Sequence, residues 1–177
     1  MIKPIKKPQI LAMIAFAFCI VYFIVATHSS ELLIYDLKVA ALVILFAGIV
    51  FLPDRFYRFL LIPFWAYPLL SIIEIVQESQ YYSSYFSDYI VEYSIEFALF
   101  IFAGFLLLGT GRNSRGLRII VTVLLVLFGI TVLYKSLWYF VLGDTGYLST
   151  YLFFSIPEAF SALCIQSYSK SLNEPLK

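Results

Sequence analysis

The chain has 177 residues, of which 62% are hydrophobic and 13% charged, and its formal net charge at pH 7 is +1. A soluble domain carries about 25% charged residues, so a chain this apolar could not keep a surface in water, and its composition predicts an integral membrane protein. The small net charge and the lack of a long basic cluster argue against a nucleic-acid partner and leave the lipid bilayer as the expected surroundings.

Apolar segments of spanning length follow one another along the whole chain. Each is close to the roughly 20 helical residues that cross about 30 Å of hydrocarbon. There are six, covering approximately 9–27, 33–53, 57–77, 89–109, 118–141 and 147–167. The sequence therefore predicts an all-α fold: a polytopic membrane bundle of six transmembrane helices, forming a single domain over 1–177 and built as three helical hairpins.

The first segment begins after the basic stretch "MIKPIKKPQ". Its apolar run is longer than the h-region of about 7–15 residues in a secretory signal, and no cleavage site is clear, so we expect a retained helix. His28 lies at the outer end of this helix, where we expect it to mark the membrane surface, with pH sensing as the alternative. Cys19 and Cys164 lie in apolar segments and are expected to act as small hydrophobes.

The basic residues predict the orientation. Of the 12 Lys and Arg residues, the termini and the loops of one side of a six-span model hold Lys3, Lys6, Lys7, Arg55, Arg58, Arg112, Arg115, Arg118, Lys170 and Lys177. Because positive loops stay in the cytoplasm, we expect both termini there, in a multi-pass protein of the cell (inner) membrane. The Arg55/Arg58 and Arg112–Arg118 loops are then the candidate contact surface for a cytosolic protein partner.

The third and fourth segments carry most of the acids. Glu74 and Glu78 are four residues apart, as are Asp88, Glu92 and Glu96, so each set would line one face of its helix. We expect Glu92 and Glu96 to face protein or a water-filled vestibule. Glu78 and Asp88 should lie at the outer headgroup level, within a belt of tyrosines. Pro63 and Pro68 predict a kinked third helix.

The fifth and sixth segments each hold one deeper charge. Lys135 lies one turn inside Trp138 and Tyr139, and Glu158 lies deeper and directly after Pro157. Their expected depths differ by roughly 5 Å, within reach of their side chains. We predict a Lys135–Glu158 pair that joins the two helices. The alternative is a cation or proton site, because a carboxylate does not snorkel easily and proline frees a backbone carbonyl beside it.

Small residues recur in the even-numbered segments. Phe-Ala-Gly occurs at 46–48 and at 102–104, and the same offset reaches Phe-Ser-Ala at 160–162. We interpret these triplets as positions where another helix approaches closely.

No enzyme signature is present, and the shortage of Cys and His argues against a metal site or another cofactor. The candidate ion, proton or structural polar cluster therefore comprises Glu74, Glu92, Glu96, Lys135 and Glu158. We expect a non-enzymatic, homo-oligomeric assembly that is channel-like or scaffold-like, with an acidic outer vestibule. The alternative is a membrane anchor or sensor that works with a cytosolic effector in a bacterial phage-defence or toxin-immunity system.

Overall fold

The computed structural model describes residues 7–25, 33–81, 86–108 and 114–172, and over these ranges it contains helices and no strands. The α-helices are α1 (Lys7–Val25), α2 (Leu33–Phe51), α3 (Leu61–Tyr81), α4 (Phe86–Phe105), α5 (Arg115–Val141) and α6 (Thr145–Ser171). The predicted all-α class is confirmed. The helix bounds differ from the predicted segments by a few residues at most ends. The third segment begins later than predicted, because Asp54–Leu60 forms a 3₁₀ helix after Pro53.

Within the described residues, three stretches are long and apolar enough to cross a bilayer: Ile34–Phe51, Arg55–Val76 and Arg115–Val141. α1 contains a shorter apolar stretch, Lys7–Tyr22. Length and composition therefore indicate a membrane protein, while a six-span threading stays a prediction. The low hydropathy of α6 has a structural reason, since several of its polar side chains, among them Ser155, Glu158 and Ser161, are buried against other helices.

The helices form a closed ring. Each packs against its neighbours in the chain, and α6 returns to pack against α1. α6 also contacts α2 and α4, so it lies nearest the centre of the bundle. Neighbouring helices run antiparallel: Gln9, early in α1, donates to the carbonyl of Val50, late in α2, at 3.1 Å.

This alternation gives the bundle two ends. At the acidic end, α1, α3 and α5 finish and α2, α4 and α6 begin. At the basic end the reverse holds, and there Arg118 of α5 donates to the carbonyl of Gln166 in α6 at 3.4 Å. The names acidic end and basic end are used below in this sense.

Glycines allow close packing in two even-numbered helices. A Cβ added to Gly104 of α4 would overlap the indole ring of Trp65 in α3. A Cβ added to Gly48 of α2 would lie 2.5 Å from Cδ2 of Leu60. In α6, Ser161 and Ala162 are fully buried. The first two small-residue triplets therefore lie at positions of close approach, and the third is buried.

The two prolines of the third segment occupy different positions. Pro63 lies in the first turn of α3, where its missing N–H costs no hydrogen bond. Pro68 lies inside α3, and Pro157 inside α6. Each of these removes one bond of its helix, to the carbonyl four residues earlier.

α5 lies at the edge of the bundle. Only Val121 and Phe128 of this helix are buried, while a long row of apolar side chains from Ile119 to Val141 is exposed. Such a surface suits the hydrocarbon of a bilayer and not water.

Candidate ion site in the bundle interior

Six polar side chains from four helices meet inside the bundle, towards the acidic end. We call them the buried cluster: Lys38, Tyr67, Ser71, Glu74, Glu96 and Glu158. None of the six is more than 5% exposed. Three are acids, carried by three different helices, and one is a lysine.

Lys38 is the cation of the buried cluster. Its ammonium forms a buried ion pair with Glu74 at 2.9 Å, joining α2 to α3. The same ammonium lies 4.7 Å from the centre of the Tyr67 ring. Lys38 therefore bonds one of the three carboxyl groups and lies beside the tyrosine that bonds a second, Glu158.

Glu158 accepts a hydrogen bond from the hydroxyl of Tyr67, which joins α6 to α3. The Tyr67 ring is fixed by stacking on Phe100, with ring centres 4.9 Å apart and planes 8° from parallel. The backbone carbonyl of Glu158 accepts from Ser161 at 2.6 Å. Glu158 is thus held between helices rather than directed at lipid.

Glu96 is positioned by the neighbouring helix of its hairpin. The hydroxyl of Ser71 in α3 donates to the Glu96 carboxyl group of α4 at 2.7 Å. Glu96 and Glu92 are both buried, at 3% and 8% exposure. The prediction that both face protein rather than lipid is confirmed.

The charges of the buried cluster do not balance. If all three carboxyl groups were ionised, Lys38 would offset only one of them. An uncompensated charge in a protein interior costs several kcal/mol even after relaxation and water penetration, roughly the penalty for each buried ion. Added protons or monovalent cations would therefore neutralise the excess negative charge of the buried cluster.

A second group lies closer to the acidic end. Glu92 of α4 forms an ion pair with Lys135 of α5 and accepts a hydrogen bond from the hydroxyl of Tyr151 at 2.6 Å. The Lys135 ammonium lies 5.7 Å from the centre of the Tyr151 ring. We call Glu92, Lys135 and Tyr151 the Glu92 group.

The predicted pairing of Lys135 with Glu158 is wrong. Lys135 pairs with Glu92, and Glu158 bonds Tyr67. The reason is depth along the helix axes. The Glu92 group lies at the level of Tyr151, and Glu158 is seven residues further along α6, roughly 10 Å deeper at 1.5 Å per residue.

Of the predicted site residues, the structure brings Glu74, Glu96 and Glu158 together and places Glu92 and Lys135 in the neighbouring group. Sequence reasoning missed Lys38, Tyr67 and Ser71. Lys38 did carry a signal, because it is a charge inside a predicted span, as Lys135 is. His28 and the side chains of Glu78 and Asp88 lie outside the described residues, as do Lys3, Lys6, Arg112 and Lys177.

Among the described residues, no group of three or more His, Cys, Asp or Glu side chains is arranged to hold a metal ion. The three carboxyl groups of the buried cluster therefore do not form a shared coordination sphere. Cys19 and Cys164 are buried free thiols.

Comparison with protein-family models, with curated proteins and with solved structures gave no match for this chain.

Proposed function

We propose that this chain is a small six-span membrane protein that moves protons across the bilayer, with the buried cluster as its occluded proton site. The observation that carries the proposal is that three glutamates and one lysine are buried together in the bundle interior, linked by hydrogen bonds and one ion pair. Ionisable residues within membrane helices are costly, and they mark proton relays in pumps and transporters.

A proton fits this site better than a metal ion. The three acids do not form a metal-binding group, whereas each takes part in hydrogen bonds or an ion pair that a proton can rearrange. The hydroxyl groups of Tyr67 and Ser71 each contact a different carboxyl group. Such groups both donate and accept hydrogen bonds, as a relay requires.

α6 supplies a polar line between the Glu92 group and the buried cluster. Tyr151, Ser155 and Glu158 are spaced by four and three residues, so they lie on one face of the helix. Tyr151 contacts Glu92 at one end of this line, and Glu158 contacts Tyr67 at the other. Protons would enter from the acidic end through the Glu92 group and reach Glu158 along this face.

This proposal differs from the sequence hypothesis in where the path runs. That hypothesis expected an acidic outer vestibule in a channel-like or scaffold-like oligomer. Glu74, Glu96 and Glu158 are buried among the helices of one chain. The path that we propose therefore runs through a single bundle, and self-association becomes a separate question.

The test is proton flux into liposomes that contain the purified protein and a trapped pH-sensitive dye. A potassium diffusion potential, negative inside, should drive acidification of the lumen well above that of protein-free liposomes. The assay is then repeated with a sodium gradient in place of the potassium gradient. This comparison distinguishes a protein that conducts protons from one that conducts sodium. A protein that only scaffolds or anchors would give no flux of any of these ions.

Glu158→Gln is the decisive variant. The amide oxygen can still accept the hydrogen bond from Tyr67, so the bundle should fold, but the side chain can no longer exchange a proton. We expect flux to fall to the protein-free level. Asp144→Asn, in the exposed turn between α5 and α6, is the matched control and should conduct like the unmodified chain. Full proton flux in a folded Glu158→Gln variant would refute the proposal.

A further inference from the structure

A groove opens at the basic end of the bundle, between α1, α5 and α6. Its volume is about 560 Å³, a size typical of ligand sites, although it is open on one side. The described residues that line it are Lys7, Leu11, Arg118, Leu163, Gln166, Ser167 and Lys170. It lies at the opposite end of the bundle from the Glu92 group and shares no residue with the buried cluster.

The groove combines positive charge with hydrogen-bond donors. Lys7, Arg118 and Lys170 come from three different helices, and no Asp or Glu occurs among the described lining residues. α1 and α5 begin at this end and α6 ends there, so the positive dipole ends of two helices outnumber the negative end of one. The charge of the described lining therefore favours an anion.

Arg118 is held in position by α6. Its guanidinium donates to the carbonyl of Gln166 at 3.4 Å, and the Gln166 side chain donates back to the carbonyl of Arg118 at 3.2 Å. This reciprocal contact ties the first turn of α5 to α6. The cation on that wall of the groove is thus built into the helix packing.

Two leucines give the groove an apolar part. Leu11 of α1 and Leu163 of α6 line it one turn or more along their helices from Lys7 and Lys170, and Leu163 is exposed. A small soluble anion would gain no favourable contact with these leucines. An amphiphile does, because its phosphate can meet the cations while its first acyl carbons lie against the leucines.

We propose that the groove binds the phosphate headgroup of an anionic phospholipid. Basic pockets between transmembrane helices on the cytoplasmic side are known to hold anionic lipid headgroups, and the excess of Lys and Arg predicts that side for this end. The lipid would join α1, α5 and α6 where they meet at the membrane surface.

Native mass spectrometry tests this with the full-length protein in a mild detergent. Phosphatidylglycerol and phosphatidylcholine of the same acyl chains are added in turn, and bound lipid is counted as collision energy rises. We expect phosphatidylglycerol to be retained at energies that strip phosphatidylcholine. Equal retention of both lipids would overturn the proposal.

Variants and competition assign the binding to the groove. Lys7→Gln and Lys170→Gln should each weaken phosphatidylglycerol binding roughly fivefold, the usual contribution of one basic residue near anionic lipid. Arg115→Gln removes an exposed cation that does not line the groove and should have no such effect. If Arg115→Gln weakened binding equally, the effect would come from the general positive charge of the surface, and the proposed site would be refuted.

Displacement of the lipid by millimolar inorganic phosphate would identify a soluble anion as the ligand instead. None of these readouts depends on proton flux.

Discussion

Among the single residues, Lys38 is central to the site, because it is the cation of the buried cluster and forms an ion pair with Glu74. Its ion pair with Glu74 is almost fully buried, at 4% and 6% side-chain exposure for the two residues. A pair so far from water is sensitive to loss of one partner, since the remaining charge stays in a medium that solvates it poorly.

We therefore expect Lys38→Met to destabilise the bundle by about 3–5 kcal/mol, the usual cost of removing one partner of a buried pair. The measurement is the free energy of unfolding in mixed detergent micelles titrated with a denaturing detergent. Lys38→Met/Glu74→Gln leaves one fewer unpaired carboxylate and should recover part of the loss. An unchanged free energy of unfolding in Lys38→Met would show that the ion pair contributes nothing to stability.

The sequence identified most of the charged residues of the site but not which side chains they contact. Glu74, Glu96 and Glu158 stand out because a charge inside an apolar run is expensive. Their contacts depend on how each helix is rotated about its axis. α2 and α6 show almost no preference for one apolar side, so their sequences do not define that rotation. Depth alone therefore does not identify the partner of Glu158, because Lys38 and Lys135 are both charges inside apolar segments.

At the scale of helices, the contact between α3 and α4 depends on one small residue. Trp65 packs where a side chain on Gly104 would have to be. Among the described residues, the buried Trp65 indole nitrogen has no hydrogen-bond partner, so shape rather than hydrogen bonding holds the ring there. This contact lies in one of the small-residue triplets recognised in the sequence.

Gly104→Ala should destabilise the protein by about 1–3 kcal/mol, because overpacking forces a backbone shift or an unfavourable rotamer of Trp65. The thermal midpoint of unfolding in detergent would fall accordingly. Gly129→Ala is the matched control, since nothing lies within 4 Å of the added Cβ and alanine favours a helix over glycine. That control should be neutral or stabilising. If both variants lowered the midpoint equally, close packing at Gly104 would not be the cause.

Helix positions were predictable because hydrocarbon thickness sets a length that apolar runs must match. The 3₁₀ helix Asp54–Leu60 was not foreseen. Phe59 and Leu60 continue the apolar composition of the segment, so composition alone joined residues 57–60 to α3. Only Pro53 hints at a break, because it fixes its own backbone and cannot donate a hydrogen bond.

At the scale of the whole molecule, the predicted threading puts the two ends of α5 on opposite sides of the membrane. Arg115 and Asp144 are exposed at these two ends, and Cys19 and Cys164 are buried, which lowers the background for thiol labelling. Single cysteines at positions 115 and 144 therefore report the orientation directly.

In intact cells, an impermeant maleimide should label Asp144→Cys from outside. It should label Arg115→Cys only after the membrane is permeabilised, as expected when the basic end is cytoplasmic. Labelling of Arg115→Cys in intact cells would reverse or reject the topology with both termini inside.

Self-association is also predicted for the whole molecule. The exposed apolar row of α5 offers a surface on which a second copy could replace lipid. We expect native mass spectrometry in mild detergent to give a symmetric dimer or a larger homo-oligomer. A purely monomeric mass would contradict this prediction and leave α5 facing lipid alone.

The central position of α6 has a consequence for biosynthesis. α6 is translated after the other five helices, yet it contacts α1, α2, α4 and α5. Until it arrives, Lys38, Glu74 and Glu96 lack the partner helix that closes the interior around them. The polar inner face of α6 also makes it a poor candidate for insertion on its own, because charged and polar residues oppose entry into lipid. Entry of α6 into the membrane should therefore depend on the first five helices, which hold its binding surface ready, and a nascent chain stalled before residue 145 should be a target for membrane quality control.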